Sequence, residues 1–181
     1  MPSSFRIARQ LLSRLEDEDT GELKPDWLHI DISDELRADS QRICDVLGQA
    51  LIDDFPFLDG VEAQSIDLVE ALLAQNWRPT LSITGAGGMP ALEQAGNVLR
   101  THTDLKVSVR IPPGVESEPA SVLLKQLLEA DPPHGAHVSM TLDTAANGFA
   151  APAMPASSAM IVSGFHLGTC RPTRTMDARM S

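Results

Sequence analysis

Arg110 is the side chain in this sequence best placed to do chemistry. It belongs to a run in which Leu105, Val107, Val109 and Ile111 alternate with Lys106, Ser108 and Arg110. Period-two alternation sets one face of a strand against a core and the other against water. Arg110 therefore stands on the wet face, next to a Pro112-Pro113 stop, a rigid seat for a fixed positive charge. Its guanidinium offers a fork of donors that matches a carboxylate. The other reactive residue types are not arranged for catalysis. A zinc hydrolase needs three or more His, Asp or Glu ligands and a general base. The five histidines, His29, His102, His134, His137 and His166, are scattered without ligand spacing. His134 and His137 straddle a turn and a strand start, and read as solvent-facing. No Gly-x-Ser-x-Gly elbow is present. Cys44 and Cys170 fit no metal or redox spacing, and Cys44 reads as a small core residue. The acidic run Glu16 to Asp19, closed by Thr20-Gly21, reads as a solvated loop. Gly85, Gly87 and Gly88 make neither a phosphate loop nor a dinucleotide fingerprint, and are expected in a turn with positive φ. Asn97, after Ala95-Gly96, is by its own sequence a turn residue.

The elements that hold Arg110 are read from periodicity. Ala8, Leu11, Leu12 and Leu15 mark one face of a first helix that Ser3-Ser4 can open. Ser33, followed by Asp34 and Glu35, starts a second helix with the stripe Ile43, Val46, Leu47, Ala50 and Leu51, ending near Asp54. A third runs from about Gln64 to Gln75. A short strand covers Thr80 to Thr84, and the Gly85–Pro90 turn follows it. After the Arg110 strand, Ser117 opens a helix with Ala120, Leu123, Leu124, Leu127 and Leu128 on one face. His137 to Leu142 alternates as a third strand, with Val138, Met140 and Leu142 inward. Neighbouring strands in sequence argue for an antiparallel sheet. The expected fold is α+β: a two-layer α/β sandwich, a ferredoxin-like antiparallel sheet with helices on one face, plus an inserted helical pair at about 16–76. Residues 1–152 form the domain. Ala150 to Ser158 has linker composition, and 153–181 is expected to be an irregular tail.

Composition bounds the partners. A chain of 181 residues with 43% hydrophobic residues buries a real core. A net charge of −11 argues against nucleic acid and anionic membrane. No apolar run is long enough to span a membrane, and no signal peptide is visible, because Arg6, Arg9 and Arg14 interrupt the first helix. The default compartment is the cytoplasm.

The ordered series ITGAGG, AGNVLR, LKVSVRIPP and LLKQLLEADPPHGAHVSM resembles the lid, or dimerisation, domain of zinc metallopeptidase family 20. That family holds carnosinase-like dipeptidases, aminoacylases and carboxypeptidases. The resemblance covers roughly Pro2 to Pro152. It implies a homodimer joined through the lid, with zinc confined to a catalytic domain that this chain lacks. It also implies substrate-binding roles for two residues. Arg110 would hold a substrate carboxylate. Asn97 would donate to a carbonyl oxygen, often across the dimer. The resemblance places no catalytic and no metal-binding residue in this chain, so the chain alone is expected not to hydrolyse peptides. The pattern departs from the family at Arg100, where many members have proline, and at the family's lid histidine, whose strand would precede Met1. Gly148-Phe149-Ala150-Ala151-Pro152 stands for the family's Gly-Trp-x-Ala-Pro. Two other readings compete with the lid. One is a ferredoxin-like regulatory domain with Arg110 and the Gly85–Gly88 turn lining a small-molecule pocket. The other is an independent hydrolase.

Overall fold

A computed structural model describes residues 2–65 and 67–149, and 175–180 as backbone. The first helix, α1 (Ser4–Leu12), buries Ile7, Ala8 and Leu11. Its stripe continues past the helix end to Leu15, which is fully buried. The chain then turns on Asp17, whose carboxylate accepts from the backbone N–H of Asp19 and of Thr20. Those bonds, and the Thr20 hydroxyl, hold the Asp17 carboxyl below its ordinary range. The acidic run is indeed a loop at the surface, closed by a bridge between Glu16 and Leu23.

The inserted helices differ from the sequence reading in detail. α2 (Asp34–Leu47) opens on Ser33, whose hydroxyl accepts from Leu36 N–H. It stops at Gly48, where φ is +54, and a single further turn, α3 (Ala50–Asp53), follows. A side chain rarely adopts that backbone conformation, so Gly48 ends the helix where the hydrophobic stripe alone would carry it on. The stripe itself is not the packed face. Val46 is 83% exposed, and Ile43 and Leu47 are also exposed. The buried residues are Ser40 and Cys44, one turn apart. Small side chains at that spacing let α2 lie close to α4 (Leu68–Trp77), the helix it packs on. Asp67 caps α4 by accepting from Val69 and Glu70 N–H, and Leu72 and Leu73 are buried. The start expected at Gln64 moves to this cap. Burial also pushes the Cys44 thiol up, as expected of a small core residue.

Four antiparallel strands follow the order β1-β2-β4-β3: β1 (Thr80–Gly87), β2 (Asp104–Arg110), β3 (Met140–Thr144) and β4 (Thr175–Met180). α1 and α5 (Ser117–Glu129) cover one face. Their Leu11, Ala120, Leu124 and Leu128 join Leu105, Val107, Val109 and Met140 in one core, with Leu15, Leu23 and Leu28 from the first loops. Each fully buried Leu or Val contributes about 1.5–3 kcal/mol. The fold is α+β, as the periodicities indicate.

Two expectations about the sheet are corrected. The Gly-rich stretch is not a turn throughout. β1 continues through Gly85 and Gly87, opposite Lys106 and Asp104, after an irregularity between Ile83 and Gly85. Only Gly88 of the three has positive φ, at +77. The second correction concerns the tail. Residues 175–180 form β4, an inner strand, rather than irregular chain; 153–174, with His166 and Cys170, lie outside the described residues. The reason is the shape of the sheet. β2 and β3 are joined by α5 and leave a gap one strand wide, and both of its edges carry unpaired backbone groups. β4 fills the gap, from Leu105↔Met180 to Arg110↔Thr175 on one side and from Met140↔Met180 on the other.

Both ends of α5 are tied down. Asn147 Oδ1 accepts from Ser117 N–H at 2.8 Å, capping the helix from outside its own sequence. At the other end Arg14 donates to the Leu127 carbonyl at 3.2 Å and the Asp131 carbonyl at 2.7 Å, and also to that of Ala130. Cationic donors satisfy the helix's last carbonyls and its dipole. Among the described residues no helix is long and apolar enough to cross a membrane.

Candidate functional site

Arg110 is the last residue of β2. The strand places Leu105, Val107 and Val109 in the core and Lys106, Ser108 and Arg110 on the face that α1 and α5 leave uncovered. Thr80 is its register partner on β1. Two residues on, Pro112 is fully buried, so the backbone that carries Arg110 is anchored. The face is drier than simple alternation suggests. Ser108 is 5% exposed, and Arg110 is half-buried. A short hydroxymethyl group lies below the tips of longer neighbours two residues along the same strand. Arg110 Nε is shut off from water and has no hydrogen-bond partner among the described residues. That buried N–H is out of a ligand's reach; what the half-buried side chain can offer a ligand is its terminal N–H donors. The arrangement therefore suits an anionic or carbonyl ligand.

Alternation also put Lys106 on this face, but not its partner. Lys106 Nζ lies 3.1 Å from Asp143. Asp143 sits at a register shift between Leu142 and Thr144, a bulge that re-aims side chains. The sequence reading ended this strand at Leu142 and faced Leu142 inward. β3 instead starts at Met140, buries only that residue and leaves Leu142 42% exposed. Bulges leave no mark in a hydrophobicity pattern, so Asp143 was not visible there.

Asn97 lies in an exposed bend of the loop that joins β1 to β2. That loop is at the Asp104 end of β2, and Arg110 is at the other end. At about 3.3 Å per strand residue the two ends are roughly 20 Å apart. The loop that carries Asn97 is thus anchored at the end of β2 opposite Arg110. The same geometry separates Arg110 from Gly85–Gly88, because Gly87 pairs with Asp104 while Thr80 pairs with Arg110. The regulatory pocket expected to join Arg110 and the glycines is therefore not formed within one chain. The Asn97 loop also presents Leu92, Val98 and Leu99 to solvent, at 90%, 69% and 56% exposure.

Among the described residues no three His, Cys, Asp or Glu side chains could hold a metal ion. His134 and His137 are exposed, and His29 Nε2 bonds the Leu23 carbonyl at 2.6 Å.

Comparison with known proteins bears on this geometry through the fold. No family model and no curated protein matches the sequence. Solved structures do match. One is the di-peptidase Dug1p from Saccharomyces cerevisiae, at 20% identity and a TM-score of 0.51, over 72% of this chain and 27% of that one. Another is the M20 family metallo-carboxypeptidase Sso-CP2 from Sulfolobus solfataricus, at 17% identity and a TM-score of 0.51, over 71% of this chain and 29% of that one. This chain shares its fold with part of two peptidases. It spans less than a third of the length of either.

Proposed function

We propose that residues 1–152 are the substrate-contacting lid and dimerisation domain of a zinc-dependent peptidase or amidohydrolase. The substrates of such an enzyme are dipeptides or N-acyl amino acids. The observation that carries this reading is Arg110: a half-buried guanidinium at the end of an anchored strand, on the face that α1 and α5 leave uncovered. The fold shared with two peptidases supports it. Arg110 holds the substrate's carboxylate through paired N–H donors. Asn97, on a loop anchored at the opposite end of β2, serves a different site from Arg110 of the same chain. That division of labour suits a homodimer in which the Asn97 loop reaches into the partner's site, and the apolar Leu92, Val98 and Leu99 give the loop surface to bury there. Asn97 then donates to the carbonyl oxygen as charge develops. Zinc and the general base belong to a catalytic domain outside this chain, and cytoplasmic location remains the setting.

The test is calorimetric titration of the full chain with N-acetylalanine and with its carboxyl amide, alongside sedimentation equilibrium. The free acid binds, the amide does not, and Arg110→Gln weakens the acid about 10- to 100-fold, the worth of a charged hydrogen bond. The chain sediments as a dimer. Equal binding of acid and amide removes Arg110's role, and a monomer at all concentrations removes the dimerisation role.

A further inference from the structure

The helical insertion and the first loop enclose a cleft of about 820 Å³ that the lid reading does not use. Its size falls within the range of small-molecule sites. Loop and insertion are joined where Gln64 donates to the Thr20 carbonyl. One wall is apolar, formed by Leu51, Ile52, Phe55, Phe57 and Leu72. The rings of Phe55 and Phe57 have centroids 6.1 Å apart, tilted by 47°. They remain 49% and 44% exposed, which is apolar surface left facing water beside a hollow.

The charges on the lining select the occupant. Asp19, Glu22 and Glu70 line the cleft against one guanidinium, that of Arg78. Arg78 is already engaged, with one terminal nitrogen 3.3 Å from Glu22 and the other on Glu70. Arg37, outside the lining, also holds Glu70. Glu70 is therefore compensated twice, and the other two carboxylates are not. Glu22 shares Arg78 and its side chain stays 65% exposed. The Asp19 carboxylate has no hydrogen bond or ion pair among the described residues. His29, on the same lining, uses its Nε2 on the Leu23 carbonyl. An anion entering here meets surplus negative charge, and a neutral head gains nothing from it. An organic cation is drawn to both carboxylates, and aromatic faces attract it as well.

We infer that this cleft binds an organic cation of the arylalkylamine kind, with an aromatic or branched aliphatic body and an ammonium head. The body packs on Phe55 and Phe57, and the head faces Asp19 and Glu22. The chain's net charge of −11 favours the approach of such a ligand. The inference is independent of Arg110, which does not line the cleft.

The experiment is a chemical-shift titration of the full, isotope-labelled chain with three probes that share one ring: phenethylammonium, phenylacetamide and phenylacetate. Phenethylammonium shifts the backbone signals of residues 19–23, 51–57 and 70–80. The amide binds about fivefold more weakly and the acid more weakly still. Added salt weakens the amine and leaves the amide unchanged. Asp19→Asn, which removes a charge without breaking a bond of the fold, weakens the amine about threefold and not the amide. Phe57→Ala, at an exposed position that does not support the core, weakens the amine about tenfold. Arg110→Gln leaves amine binding unchanged, so this site and the carboxylate site fail or succeed separately. The inference is overturned if the amine causes no shifts in those segments, if the amide or the acid binds as well as the amine, or if Asp19→Asn or Phe57→Ala binds the amine as wild type does.

Discussion

Gly88 and Gly48 show how much a single residue's environment decides. Both have positive φ, +77 and +54. A Cβ at Gly88 would stand 2.7 Å from the His102 carbonyl oxygen, whereas at Gly48 nothing lies within 4 Å. Gly48→Ala is expected to cost about 1 kcal/mol through backbone strain alone, and Gly88→Ala about 2–3 kcal/mol, because a backbone atom must also shift. Urea unfolding of the two variants checks the order. Glu129 gives a second residue-scale prediction. Its carboxylate accepts from Lys125 Nζ at 2.7 Å and from Met140 N–H at 2.6 Å, tying α5 to β3. The Lys125 bond first, and the Met140 bond after it, hold its pKa below the ordinary glutamate range. A depressed folded value means the stabilisation is full above the unfolded value and disappears as pH falls through the folded one. Glu129→Gln should therefore lower stability at neutral pH and flatten its decline below about pH 4.5, measured as urea midpoints across that range. Residue-level chemistry was partly legible. Arg110 could be placed on its strand face because alternation is a local signal. The lack of a partner for its Nε among the described residues, and the salt bridge from Lys106 to Asp143, depend on which strands meet, and no local pattern encodes that.

At the scale of elements, β4 is the sharpest test of the fold. Ala178 pairs with Val107 on one side and Leu142 on the other. Proline there removes a ladder donor from the middle of an inner strand. Ala178→Pro should speed amide exchange along β2 and β3 together while leaving α2 and α4 unaffected. Exchange confined to residues 175–180 would show that β2 and β3 do not depend on the strand. The sequence of this segment, Thr-Met-Asp-Ala-Arg-Met, does alternate, but six residues beyond a Pro- and Ala-rich stretch carry little statistical weight. The helices were legible as existing but not in their ends. Gly48 and the Asp67 cap moved boundaries that hydrophobic stripes had set elsewhere. The α2 stripe misled because helix packing here selects the small residues Ser40 and Cys44 instead of the large apolar ones.

The whole molecule has one main core and a lighter annex. Leu124 and Leu128 of α5 are fully enclosed, while Val46 of α2 is 83% exposed. Leu124→Ala is expected to cost about 2–5 kcal/mol and Val46→Ala less than about 0.5 kcal/mol, read from thermal midpoints. The class of fold, α+β with helices over an antiparallel sheet, followed from the order of periodic segments. The closure of the sheet did not, because it is made by residues far apart in the chain. That closure also bears on the order of events in folding. β1 and β2 are neighbours joined by one loop, and α5 connects β2 to β3 locally, yet Leu105 meets Met180 only after everything between them has been made. Contacts of such high sequence separation pay loop-closure entropy before they return any stability. The hairpin and its helices can thus assemble early around an open groove, and acquisition of the native sheet waits on the slowest search the chain has to make.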